Sequence, residues 1–318
     1  MNVAELINKE KETAFSFEIL PPLKGADSYK LFRDIETLLE FSPKYINVTS
    51  HRSEVEYRTL PNGLFEKVSV RHRPGTVAIA AAIQNKYKVP VVPHVICSGF
   101  TKSETEYALI DLHYLGITNL LLLRGDRAKN EKNFAAMEDG HAHASDLQVQ
   151  VNDFNKGRFI DGSEFEAPSV PFSYGVAGYP EKHEEAMSMA ADLRALKRKV
   201  ELGAQYVVTQ MFFDNNKYFR FVDRCREAGI DVPIVPGLKP LGTLNHLTTL
   251  PRTFRVDFPD ELVEKLEECK TNEDAKAVGT EWCIKQCREL MEHNVPCLHF
   301  YTMNAAAQVA EIMRKVRG

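Results

Sequence analysis

No apolar run in this chain approaches the roughly 20 residues of a membrane span, and the N-terminus lacks a signal peptide's apolar core. A cytoplasmic protein is the expectation. Charge of either sign is not in excess: the formal net charge is -4 over 318 residues, which argues against general affinity for nucleic acid or an anionic membrane. Cysteines are few and scattered. Cys283 and Cys287 share a helical face, but no second pair completes a tetrahedral metal site, so the six thiols read as free and metal is not expected. His141 and His143 have no carboxylate or cysteine at ligand spacing and read as a solvated loop. The glycine-rich fingerprints of dinucleotide and nucleotide phosphate loops, G-x-G-x-x-G and G-x-x-x-x-G-K-[ST], are missing altogether.

What is present is alternation. Short apolar runs at 13–18, 45–49, 90–97, 119–123, 172–179, 206–210, 233–237 and 297–301 read as eight buried strands. Between them lie amphipathic helices, among them one with Leu31, Phe32, Ile35, Leu38 and Leu39 on one face, one opened by a capping box at 103–106, and one over 184–202. Two or three helices precede the last strand, the longest around 282–291, and a closing helix runs from Asn304 to Val316. Eight strand–helix units without a dinucleotide turn predict a single (β/α)8 TIM barrel spanning 1–318 rather than a doubly wound sheet. Two long polar stretches, 51–75 after strand two and 127–171 after strand four, read as insertions.

In such a barrel the C-terminal strand ends share one rim, which holds the active site. Glu18, Thr49, His94, Asp126, Tyr179, Gln210 and Tyr301 fall there by count. Glu18 lies between Phe17 and Ile19, so desolvation is expected to raise its pKa toward that of a proton donor, unless a rim Arg or Lys pairs with it. Asn119 to Leu123 stops on Arg124, Gly125 and Asp126, a charge pair astride a residue that lets backbone approach a ligand. Lys197, Arg198 and Lys199 offer cations for a diphosphate, and Gln210 stands beside the aromatic walls of Phe212 and Phe213.

These residues resemble the methylenetetrahydrofolate reductase family over almost the whole chain. The resemblance is carried, in order, by 15–22, Asn47 to Thr49, Pro93-His94, Leu123 to Asp126, Tyr179 to His183, Leu196 to Lys199, Gly203-Ala204, Thr209 to Asp214, Asp223 to Gly229 and Phe300 to Asn304. It implies a barrel that binds FAD, takes hydride from NAD(P)H and reduces methylenetetrahydrofolate to methyltetrahydrofolate in a ping-pong scheme, supplying methyl groups for methionine synthesis. By the same resemblance Glu18 is the general acid that opens the folate ring, and Asp126 holds the folate and tunes the flavin. Gln210 and Tyr301 contact folate. Thr49, His94, Arg124, Gly125, Asp126, Ala144, Tyr179, His183, Asp192, Arg198 and Lys199 contact FAD.

The chain departs from the family at Ile19-Leu20, at Ala195, along Lys239 to Leu244 and at Ala305, where aromatics, an Asn, a Phe and an Arg are common. No regulatory domain follows the barrel, so adenosylmethionine control is not expected, while homo-oligomers through the outer helices are. Two alternatives stay open: another FAD barrel of the proline-dehydrogenase kind, and a non-catalytic folate-binding subunit of a larger complex. Glu18 with Gln210 argues against the first, and Glu18 with Asp126 against the second.

Overall fold

The structure, a computed structural model, describes residues 1–8, 12–128, 131, 133–303 and 305–317. Asn304, the expected start of the closing helix, and Lys129, Asn130 and Lys132 within the second insertion lie outside the described residues. The elements run α1 (Val3–Asn8), β1 (Ala14–Ile19), α2 (Ser28–Leu39), β2 (Ile46–Val48), β3 (Glu54–Thr59), β4 (Phe65–Val70), α3 (Thr76–Tyr87), β5 (Val91–Ile96), α4 (Lys102–Tyr114), β6 (Asn119–Leu123) and α5 (Ala144–Asn155). They continue with β7 (Ser173–Gly178), α6 (Met189–Glu201), β8 (Tyr206–Thr209), α7 (Asn215–Glu227), β9 (Ile234–Val235), β10 (Gly237–Leu238), α8 (His246–Phe254), α9 (Asp260–Glu267), α10 (Asn272–Glu292), β11 (Cys297–Tyr301) and α11 (Ala306–Arg317).

This alternation is the (β/α)8 barrel class expected from the sequence. The expected seventh strand is split in two at Pro236, which has no N–H to donate but whose carbonyl accepts from His299 N at 3.1 Å. No helix among the described residues is long and apolar enough to cross a membrane.

The chain forms two compact units, unit 1 of Met1–Leu20, Phe32–Asn47 and Ser173–Gly318, and unit 2 of Pro21–Leu31 and Val48–Phe172. In unit 1, β11 lies between β1 and β10, parallel to both, and β8 lies parallel between β7 and β9. β1 puts Phe15, Phe17 and Ile19 on one face and Ala14, Ser16 and Glu18 on the other, both faces are buried along almost its full length, and Phe15 packs its ring 5.8 Å from Phe17 and 5.7 Å from Phe300. Ser16 Oγ lies 2.9 Å from His299 Nδ1, and burial holds the His299 imidazole neutral, its pKa down at about 3. Trp282, on α10, donates its indole N–H to the Phe213 carbonyl at 3.0 Å and borders the apolar cluster of Met211, Phe213, Leu241, Leu250, Leu262 and Leu266.

In unit 2, β5 and β6 pair in parallel, His94 opposite Leu121. The capping box of α4 sits two residues earlier than the sequence suggests. Thr101 Oγ1 accepts from Glu104 N at 3.1 Å, and Glu104 Oε2 accepts from Thr101 N at 2.8 Å. Both insertions are more ordered than their polarity suggests. Within 51–75, β3 and β4 form an antiparallel hairpin, Glu54 opposite Val70. Within 127–171, α5 runs for 12 residues and lays Phe154 against Phe165 (5.0 Å) and Phe172 (5.5 Å), with Phe159 stacked on Phe165 at 4.2 Å.

Candidate active site

Glu18 sits one residue from the C-terminal end of β1, opposite Tyr301 of β11. Its backbone carbonyl accepts from Thr302 twice, from the hydroxyl at 2.6 Å and the amide at 3.3 Å, so the strand end is pinned. Burial pushes the Glu18 carboxyl up from its ordinary 4.5 to about 8, against the opposing pull of Lys239. The carboxyl is therefore largely protonated at neutral pH, as a general acid requires. Desolvation is the larger influence on Glu18, and the charge of Lys239 the smaller.

Lys239 was not singled out from the sequence, where it is one residue of a loop. It follows directly on β10 and is 6% exposed. Burial draws its ammonium down from 10.5 to about 8, while Cys283 and Glu18 pull the other way. A lysine one step past an apolar strand and just before Pro240 was the available signal.

Tyr301 donates its hydroxyl to the Thr209 carbonyl at 2.6 Å, and burial holds its phenol well above the ordinary range. The ring passes over Gly237, where a Cβ would lie 2.6 Å from Tyr301 Cε2 and 2.3 Å from Thr209 O. Gly237 is thus required by close approach. Gln210 Oε1 accepts from Met211 N at 2.9 Å.

After β7, the Tyr179 ring meets the His183 ring edge-on at 4.7 Å, and His183 N donates to Asp192 Oδ2 at 2.8 Å. Glu181 accepts from Lys217 and from Asp257 N at 3.1 Å, and Lys217 also reaches Asp257 at 2.7 Å, tying the loop to α7. Lys199 donates to the Ala177 carbonyl at 2.7 Å; burial lowers its pKa to about 8, with Asp192 opposing. Arg198 is exposed. The three consecutive cations of α6 therefore have different surroundings, as a helical sequence of adjacent residues requires.

In unit 2, β5 and β6 end side by side. Ser98 N donates to Arg124 O at 2.9 Å, and Ser98 Oγ to Asp126 O at 2.5 Å. Gly125 has φ +80°, and a Cβ there would lie 2.9 Å from Ser98 Cβ. Its close approach is to the neighbouring strand end rather than to open space for a ligand. Arg124 lies over the Phe134 ring at 4.7 Å. Thr49 Oγ1 is 3.0 Å from His51 Nε2, while the Thr49 carbonyl accepts from Thr76. His94 is buried and Asp126 exposed. Ala144 is the first residue of α5.

One expectation is corrected here. His141 is buried and bonded to Gln150, whose amide in turn reaches Lys102 O at 2.9 Å, and His143 is the N-cap of α5. His141 is therefore packed against the helix rather than solvated, whereas His143 is exposed at the helix start. Among the described residues, no group of three or more His, Cys, Asp or Glu could hold a metal ion, and all six cysteines are free.

A (β/α)8 barrel with a desolvated carboxyl and a buried lysine at strand ends belongs to the class of barrel enzymes. The methylenetetrahydrofolate reductase family model matches residues 3–317, and the chain belongs to that family. It is 30% identical to 5,10-methylenetetrahydrofolate reductase of Escherichia coli, covering 92% of this chain and 86% of that one. It is also 30% identical to methylenetetrahydrofolate reductase (NADH) 1 of Arabidopsis thaliana over 94% of this chain. The chain spans about half the length of that plant relative (47%). Among solved structures, an uncharacterized Clostridium thermocellum protein that binds two copies of 5-methyl-5,6,7,8-tetrahydrofolic acid shares the fold, with a TM-score of 0.58, 15% identity and 99% of each chain covered.

Proposed function

We propose that the chain reduces methylenetetrahydrofolate to methyltetrahydrofolate with FAD as cofactor and NAD(P)H as donor. The observation that carries the reading is the Glu18 carboxyl, held protonated up to about pH 8 at the end of β1. Family membership supplies the substrate class.

The donor set fits a flavin dinucleotide. Arg198 is an exposed cation, and Ala144 opens α5, where a helix N-terminus suits an anionic oxygen. Arg124, Gly125, Thr49, His94, Tyr179, His183, Asp192 and Lys199 complete the assigned contacts. Bound FAD would supply two-electron chemistry, receiving hydride from NAD(P)H and passing it to the folate carbon in alternation. Glu18 donates its proton to the ring nitrogen that departs from the methylene carbon, which leaves an iminium on the other nitrogen. Asp126 accepts hydrogen bonds from the pterin, and the Gln210 amide NH2 donates to it. Tyr301 flanks Glu18, its own hydroxyl committed to Thr209. A cytoplasmic homo-oligomer that feeds methionine synthesis and binds neither nucleic acid nor membrane completes the proposal.

The test is the visible spectrum of purified protein, reduced without oxygen and then mixed with methylenetetrahydrofolate. Return of the oxidised flavin bands with formation of methyltetrahydrofolate is expected. Flavin that stays reduced would sink the folate reading, and no flavin after FAD addition would sink the cofactor. Glu18→Gln should keep FAD and donor-driven reduction and lose folate reduction by about 100-fold or more.

A further inference from the structure

The hairpin of β3 and β4 is a sheet of two strands, and two strands alone bury too little to be stable in water. One of its faces is anchored at the base: Val70 is buried, Val68 is half-buried, and His72 Nε2 lies 3.1 Å from Glu56 Oε1. The other face, made of Val55, Tyr57, Thr59, Phe65, Lys67 and Ser69, is exposed throughout, Tyr57 by 65% and Phe65 by 70%. The turn fixes which backbone groups look outward. Leu60 N donates to Leu64 O at 2.7 Å, and Gly63 N to Leu60 O at 2.9 Å. Bonded pairs alternate along an antiparallel ladder, so Glu54, Glu56 and Arg58 turn their N–H and C=O toward β4. Val55, Tyr57 and Thr59 turn theirs away, and among the described residues no further strand is bonded to that edge.

An open edge of this kind is a template for another strand. The outward row of β4 contains Lys67, a charge of the sort that guards an edge, whereas the outward row of β3 is Val55, Tyr57 and Thr59, uncharged residues that favour strands. A strand that pairs antiparallel with its own copy across a two-fold axis places one residue opposite itself. Charge then selects the register. An axis at Glu56 would oppose two carboxylates, one at Arg58 two guanidiniums, and one at Val55 would set Glu54 against the partner's Glu56. An axis at Tyr57 avoids all of these. It opposes Tyr57 to the partner's Tyr57, Val55 to the partner's Thr59, and Glu56 to the partner's Arg58 on both sides of the axis, so aromatic, β-branched and opposite-charge pairs all form. The same register lets the three outward-facing residues of each β3 exchange their backbone hydrogen bonds.

We infer that two copies of this chain join edge to edge through β3, across a two-fold axis at Tyr57, and complete one four-stranded antiparallel sheet. Leu60 then falls opposite the partner's Glu54, which carries the exposed tip residues Leu60 and Leu64 toward the base of the partner's hairpin. The inference gives the homo-oligomer proposed above its contact, and places it on the first insertion rather than on the outer helices. It is independent of the chemistry at Glu18.

Sedimentation velocity of the full chain over roughly 1 to 100 µM should show a dimer, and a monomer throughout would overturn the inference. Arg58→Glu opposes glutamates on both sides of the axis and should raise the dimer Kd about tenfold or more, with the circular dichroism of the wild type. Arg58 is the cleaner site to change, because Glu56 also meets His72 in its own chain. Glu56→Arg should weaken self-association in the same way. Mixed in equal amounts, the two variants should form a heterodimer tighter than either homodimer, since every like-charge pair then becomes an opposite-charge one. An interface through the outer helices would leave Arg58→Glu dimeric and the mixture no tighter, and either result would overturn the assignment. Cysteine cross-linking reads the register directly and decides if a charge variant fails to fold. Tyr57→Cys, facing its own copy, should oxidise to a covalent dimer, whereas Val55→Cys, facing the partner's Thr59, should not. No covalent dimer from Tyr57→Cys would refute the two-fold at that residue. Folate turnover is followed alongside: a dimer without turnover removes the proposed function and keeps the interface, and turnover by a monomer does the reverse.

Discussion

Glu18→Gln should make the protein more stable as the pH rises. The folded state holds the Glu18 proton up to about pH 8, whereas the unfolded chain releases it near 4.5. A raised folded-state pKa contributes stability that is fully present below 4.5 and is lost as pH climbs through 8. The span from 4.5 to about 8 sets a ceiling of about 5 kcal/mol on that loss. Two features reduce it: the side chain keeps some solvent access, and the Lys239 ammonium compensates part of the carboxylate. A gain of roughly 2–3 kcal/mol for the glutamine variant at pH 8.5, and close to none at pH 4.5, is the expected outcome. Lys239 works in the opposite sense, its contribution being lost as pH falls through 8, but it is present in both proteins. Urea unfolding followed by circular dichroism at the two pH values, with m unchanged, measures the difference. A difference independent of pH, or a glutamine variant less stable at pH 8.5, would refute the desolvated carboxyl on which the proposed chemistry stands.

Gly237→Ala should destabilise by about 3 kcal/mol or more, because the new methyl meets both Thr209 O and the Tyr301 ring; a change below about 1 kcal/mol in urea would contradict the close approach. Tyr301→Phe removes the hydroxyl that the Thr209 carbonyl accepts, and a loss of about 1–2 kcal/mol is expected by the same assay with flavin content unchanged. Flavin loss from that variant would place Tyr301 on the cofactor instead.

Strand content was readable where apolar runs were short and closed by polar residues. β6 runs from Asn119 to Leu123 as its five-residue pattern predicts. The hairpin of β3 and β4 was not read, because Glu54 to Thr59 is largely exposed and shows no buried alternation. Its one local signal was Asn62-Gly63 between Leu60 and Leu64, where Leu60 N donates to Leu64 O at 2.7 Å. α5 lies within the stretch that reads as a polar insertion, since Gln148 and Gln150 are polar residues that it buries. The site divides the same way. Glu18 was legible because its neighbours in sequence, Phe17 and Ile19, mark the strand as buried. Lys239 was not, because its burial depends on α8 and α10 and on Gln308, 69 residues further along. The Gly125 turn was legible as a close approach, but its partner, Ser98, lies on another strand end.

Trp282 is the chain's single tryptophan, and it belongs to unit 1. Its indole is fixed to the Phe213 carbonyl just beyond β8, with Lys285 5.0 Å from the ring centroid. Intrinsic fluorescence excited at the red edge therefore samples one place only, the docking of α10 on the segment after β8. Unit 2 contributes tyrosine emission alone. A melt watched through the indole and one watched through the backbone coincide when the units unfold together and part when they do not. The cooperativity of the whole chain can thus be read without adding a label or changing a residue.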